Sequence, residues 1–216
     1  MDARSPRGRH KEAAVNDVRI FEAARLVFSR HPDAPISAVG EAANVGKSAL
    51  YRRYASKQLL LQAVAEDLTE QYVAVIDRCH QDLDDGRDPA AVLTSFLADA
   101  AETGTHAMML AITGRFEPSD RDRRRSADGW DAGDRLVSRL QRAGALRQEV
   151  DWLDLNKLLE GLGAIRSPGG ERTQQLHERY AAVLAAGLAP GQDPLPGSSA
   201  APADFGAPKV PTDRSI

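Results

Sequence analysis

Residues 45–57 read VGKSALYRRYASK, and the order of residues around this stretch decides the architecture. Leu50 and Tyr54 are four residues apart, so on a helix both pack inward and leave Lys47, Ser48, Tyr51, Arg52 and Arg53 on the open side. Upstream, Ile20, Ala23, Ala24 and Val27 share one helical face, with Phe21 and Phe28 beside it. A shorter apolar pattern runs from Ile36 through Val39 to Ala42 and Ala43, and Asn44-Val45-Gly46 separates it from Lys47. A tight turn between helices needs a residue that accepts positive φ, which Asn44 does better than most residues other than glycine, and Gly46 then falls at the capping position. The expected order is helix, helix, turn, helix.

The run Ala42-Ala43-Asn44-Val45, then Lys47, Leu50-Tyr51, Tyr54, Ser56-Lys57 and Leu59-Leu60, resembles the TetR family of bacterial repressors, over residues 16–64. The resemblance implies an all-α chain: an N-terminal three-helix helix-turn-helix DNA-binding domain, followed by a helical ligand-binding and dimerisation domain. It implies a homodimer, probing double-stranded DNA with two recognition helices spaced for an inverted-repeat operator, and a small-molecule effector that releases it. Lys47, Ser48 and Arg52 are then expected at base edges, Tyr51, Arg53 and Lys57 at phosphates, Tyr54 behind the helix, and Ser37, opening the second helix, as a further contact. The chain departs from the family at the turn, where Asn44 replaces the usual glycine, and at the cap, where Gly46 replaces serine or threonine. Ala49 and Pro35 stand where the family usually has threonine, which removes two backbone contacts or caps.

Charge distribution agrees with that polarity. The 216 residues carry a formal net charge of -3, but residues 1–60 hold eleven Lys or Arg against six Asp or Glu, and the remainder seventeen against twenty-five. The basic end is the end with the motif, as a nucleic-acid surface requires. A single cysteine, Cys79, excludes an intramolecular disulfide framework and a cysteine-rich zinc site, and suits a reducing compartment. No apolar run approaches the roughly 20 residues that span a bilayer. The opening MDARSPRGRHK lacks the apolar stretch of a secretory signal, so a cytoplasmic location is expected.

Along the chain, residues 1–14 read as a flexible basic arm, residues 15–60 as the DNA-binding domain and residues 61–188 as the ligand-binding and dimerisation domain. Arg7 and Arg9 in the arm suit the minor groove, where a narrow groove concentrates negative potential. A stripe from Leu61 through Val64, Leu68, Tyr72, Ile76, Cys79 and Leu83 predicts one long helix, the natural lever between reading head and pocket. Asp88-Pro89 opens the next helix, and further apolar stripes predict helices to about residue 188. Phe96, Met108, Met109, Phe116, Trp130 and Leu159 are the candidate ligand-lining residues, each with plain core packing as the alternative. Leu155, Leu158, Leu162, Tyr180, Val183 and Leu184 are the expected dimer interface, because the resemblance implies a four-helix bundle of the last two helices. Residues 189–216 hold six of the twelve prolines with little apolar periodicity and read as a disordered Pro/Gly/Ala-rich tail.

A search for chemistry finds little. The five histidines are scattered, and His80 with Asp84 at four-residue spacing makes a surface pair more readily than half a metal site. No phosphate loop, nucleophile elbow or acid–base constellation stands out, so neither an enzyme nor a cofactor or metal is expected. The reading is a ligand-responsive DNA-binding regulator, a repressor by resemblance, with a dimer that has kept its head but lost sequence-specific DNA binding as the alternative.

Overall fold

A computed structural model describes the backbone of residues 6–205 apart from Gln192, and side chains from Asp17 onward apart from Leu110 and Gln192. The elements are α1 (Pro6–Arg30), α2 (Ile36–Ala42), α3 (Lys47–Arg53), α4 (Lys57–Asp84), α5 (Pro89–Thr103), α6 (Thr105–Ile112), α7 (Asp120–Arg142), α8 (Trp152–Gly163) and α9 (Gly170–Leu188), with a short 3₁₀ turn at Pro202–Phe205. Among the described residues there is no strand. Helix α1 begins inside the stretch expected as an arm, so Arg7 and Arg9 lie on its backbone, but their side chains are outside the described residues.

The chain divides into two compact units, one of Met1–Ala65 with Ala111–Glu117, the other of Glu66–Leu110 with Pro118–Ile216. In the first, Ile20, Ala23, Ala24 and Phe28 of α1 are buried together with Ile36 and Val39 of α2, Leu50 of α3, and Leu60, Leu61 and Val64 of α4. Removing each large side chain of this kind from water stabilises the fold by about 1.5–3 kcal/mol. Gly40 lets α2 and α3 approach, since a Cβ there would stand 3.0 Å from Leu50 Cδ2 and 3.2 Å from the Val45 carbonyl.

In the second unit, Val75, Ile76 and Cys79 of α4, Leu93, Phe96 and Leu97 of α5, Leu136 and Leu140 of α7, and Trp152, Leu155, Leu159 and Leu162 of α8 form one core, closed by Ala181 and Leu188 of α9. The helix ends follow local chemistry. The Asp88 carboxylate accepts from the amides of Ala90 and Ala91, with Pro89 in the first turn of α5, and Ser119–Asp122 and Asp151–Asp154 form reciprocal capping boxes at α7 and α8. Beyond α9, Arg147 donates to the Asp193 carbonyl, Ala200 N to Asp154 Oδ1 at 2.7 Å, and Lys157 Nζ to the Asp204 carbonyl at 2.6 Å while lying 4.8 Å from the Phe205 ring. Composition gave no hint of these contacts, because each joins a polar group of the segment to a residue far away in the sequence. Among the described residues no helix is long and apolar enough to cross a membrane.

Candidate nucleic-acid interface

The turn between α2 and α3 is built around Asn44, which adopts φ 53°, the one left-handed non-glycine residue among those described. Val45 N donates to the Gly40 carbonyl at 2.8 Å and Asn44 N to that of Glu41 at 3.1 Å. This pairing satisfies the carbonyls that the end of a helix leaves open and redirects the chain sharply. Gly46 then caps α3 without a side-chain bond, as its lack of a side chain dictates.

Leu50 is fully buried and Tyr54 nearly so, which turns Lys47, Ser48, Tyr51 and Arg52 outward. Lys47 Nζ lies 5.9 Å from the centre of the Tyr51 ring. Ser37 is half-buried on α2, and with Gly40, Glu41, Asn44, Val45, Gly46, Lys47 and Leu50 it lines a shallow groove along the turn. Ser37, Lys47, Ser48, Tyr51 and Arg52 are therefore gathered on and beside one short helix.

Arg53 and Lys57, the two cations placed at phosphates in the sequence reading, are each engaged within the unit. Arg53 Nε and Nη2 donate to Asp17 Oδ1 and Oδ2 at 3.0 and 2.6 Å, and Tyr54 Oη donates to Asp17 Oδ1 at 3.2 Å. The carboxylate raises the Arg53 pKa, and burial first, then the Asp17 charge, pushes the Tyr54 phenol up to about 12. Lys57 Nζ donates to the Pro32 carbonyl at 2.8 Å and lies 5.1 Å from the Phe28 ring, and burial lowers its pKa. Sequence spacing placed Arg53 on the open face correctly but had no means of finding Asp17, 36 positions earlier.

Of the residues expected around a ligand, most lie in the interior of the second unit. Phe96 and Leu159 are fully buried in the main core of the second unit, Met108 is buried, and Met109 and Trp130 are half-buried. Phe116 is half-buried and belongs to the first compact unit. What the second unit does assemble is an aromatic centre: Trp152 lies 6.0 Å from Tyr72, 5.6 Å from Phe96 and 6.5 Å from Trp130, ring centre to ring centre.

Within that centre Asn156 Oδ1 accepts from Tyr72 Oη at 3.1 Å and His106 Nε2 at 2.8 Å, while its amide nitrogen donates to the Trp152 carbonyl at 2.7 Å. This arrangement fixes His106 with its proton on Nε2. Burial holds the His106 pKa below the ordinary histidine value and pushes that of Tyr72 well up, so both are neutral at pH 7. Sequence reasoning missed the trio. Its one visible signal was Asn156, a polar residue on the leucine-rich face of α8.

Two expected dimer residues are corrected by burial. Leu155 and Leu162 lie inside the chain's own core, 0% and 3% exposed, because their face of α8 covers that core. Leu158 and Leu184 are half-buried, and Tyr180 and Val183 are exposed at 42% and 60%. His80 and Asp84 are both taken by Arg139, whose Nη1 lies 3.2 Å from His80 Nδ1 and whose Nη2 donates to Asp84 at 2.6 Å.

Residues 20–64 match the family model of bacterial regulatory proteins of the tetR family, and residues 88–190 match that of the SbtR-like transcriptional regulator C-terminal domain. No curated protein matches the chain in sequence. Among solved structures, a TetR transcription regulatory protein from Mycobacterium vanbaalenii is 24% identical with a TM-score of 0.56, over 83% of this chain and 98% of that one. The TetR-like regulator LfrR from Mycobacterium smegmatis, crystallised with proflavine, is 18% identical with a TM-score of 0.54, over 79% and 96%. PfmR from Thermus thermophilus is 20% identical with a TM-score of 0.54, over 80% and 97%. At these identities the likeness is one of fold.

Proposed function

The chain belongs to the TetR family of bacterial regulatory proteins, and from that premise we propose that it is a homodimeric transcriptional repressor, cytoplasmic, which binds an inverted-repeat operator and leaves it when a small molecule occupies the second unit. The observation that carries this reading is the division of α3: Leu50 and Tyr54 buried, Lys47, Ser48, Tyr51 and Arg52 exposed. Lys47, Ser48 and Arg52 address base edges, with Arg or Lys to guanine the commonest specific pairing. Tyr51, Ser37 and the remaining donors of Lys57 address phosphate, and the arm residues Arg7 and Arg9 the minor groove. The reading involves binding alone, with no bond made or broken.

For the dimer, α9 offers Leu176, Tyr180, Val183 and Gly187, a stripe at helical spacing that faces away from the chain's core at its two large exposed members. For the effector, the second unit is the natural place, since residues 88–190 match the model of a regulator's C-terminal domain. An effector changes DNA affinity only by its preference between two arrangements of the dimer, typically about 1–3 kcal/mol. Helix α4 runs unbroken from Lys57 to Asp84 and contributes residues to both units, which makes it the element through which the preference is expressed.

The test is selection of bound duplexes from random DNA by the full-length protein. An enriched inverted repeat supports the reading and supplies the operator for effector screening. Binding that weakens steeply with salt but enriches no sequence would overturn it, leaving a head that has kept its charge and lost its code.

A further inference from the structure

Helix α3 has only seven residues, and its N-cap Gly46 makes no side-chain bond. Two inward anchors, Leu50 and Tyr54, fix its depth. A third contact is needed to fix its rotation and tilt. Asp17 supplies a side-chain clamp at the last turn, where its carboxylate accepts two bonds from Arg53 and one from Tyr54.

A two-pronged guanidinium–carboxylate pair imposes planarity and direction in a way that a point charge does not. Arg53 is 58% exposed and Asp17 22%, so solvent screens the pair and its contribution to stability is small. A carboxylate facing the DNA-reading helix also works against phosphate affinity. Both arguments leave geometry as the effect that the pair delivers. We propose that Asp17 is a positioning residue for sequence reading: by clasping Arg53 and Tyr54 it orients α3 in the groove, and it withholds Arg53 from the phosphates.

This inference rests on the operator reading above, and its test separates the two. The duplex enriched by the wild-type protein and a scrambled duplex of equal length are titrated at several salt concentrations with full-length wild type, Asp17→Asn and Arg53→Lys. Wild type that enriches no duplex overturns the operator reading before any variant is compared. If Asp17 positions α3, Asp17→Asn loses about tenfold of the discrimination between the two duplexes, the scale set by bonds to a charged group. Its binding to the scrambled duplex is undiminished, and the slope of log affinity against log salt steepens by about one, because Arg53 is released to phosphate. Arg53→Lys keeps the charge but not the two-pronged grip, so it loses discrimination as well.

Wild-type discrimination in both variants overturns the proposal. So does Asp17→Asn that tightens both duplexes equally, which would make Asp17 a damper on charge and nothing more. Should Asp17→Asn lose its helical circular dichroism, Tyr54→Phe removes one of the three bonds and keeps the buried ring. It is expected to lose part of the discrimination with an unchanged salt slope, and full discrimination in Tyr54→Phe and Arg53→Lys together would overturn the clamp.

Discussion

The indole of Trp152 lies directly against the backbone of Gly133: a Cβ at position 133 would stand 2.1 Å from Trp152 Cε2. Glycine is required there because α7 and α8 meet at a bulky ring that is itself 3% exposed and held among Tyr72, Phe96 and Trp130. Trp152 is thus pinned from both sides, and the aromatic centre depends on a missing side chain.

Gly133→Ala therefore forces the ring out of its place. The expected cost is about 1–3 kcal/mol, the range for overpacking a filled core. Chemical denaturation read by tryptophan fluorescence checks it, and an unchanged midpoint would mean that the helices separate freely at this point.

Asn156 holds the phenol of Tyr72 and the imidazole of His106 through one oxygen. Asn156→Ala leaves two donors without that acceptor in an apolar surround, at about 1–3 kcal/mol for each group left unpaired. The loss exceeds that of Leu158→Ala, which removes only a half-buried apolar side chain on the same helix. Equal losses in the two variants would show that water replaces the lost acceptor.

Acid should weaken the second unit through His106. Its folded pKa lies below the unfolded value because burial disfavours the charged ring. The unfolded chain therefore binds the proton first. Stability that is fully present above about pH 6.5 declines as pH falls through the lowered folded value. His177 is shifted in the same direction, also chiefly by burial. Thermal midpoints at pH 7.5 and 5.5 should differ, and the difference should shrink in His106→Gln, which keeps a donor but does not titrate. A difference of the same size in that variant would assign the effect to His177.

Lys47 stands at the first position of α3, exposed and within reach of the Tyr51 ring. On the operator reading, Lys47→Ala costs about 1–3 kcal/mol at one base pair and relaxes the preference there. A panel of single-base operator variants reads this directly. Uniform weakening across the panel would move Lys47 from base reading to phosphate contact.

Val183 is 60% exposed on the stripe of α9 that carries Tyr180. Val183→Asp places a charge in the proposed interface between copies, where burial without a partner is costly. Sedimentation should show a monomer with unchanged helix content, and a dimer as stable as wild type would place the interface elsewhere.

Features with a local cause are legible in the sequence alone. Asn44 at the turn, Leu50 and Tyr54 facing inward, the long α4 stripe and the Asp88-Pro89 start of α5 all follow from periodicity and turn chemistry within a few residues. The outward face of α3 followed from the same spacing. What tertiary packing alone settled are choices among chemically equal residues. Arg52 and Arg53 are neighbours of one type, yet only Arg53 meets Asp17. Leu155 and Leu158 share a helix, yet one is core and the other half-exposed. Tyr72, His106 and Asn156 come from three helices spread over 84 positions and meet at a single oxygen. Such meetings depend on how helices pack over long separations, and no periodicity within one helix encodes where the next helix will place its side chains.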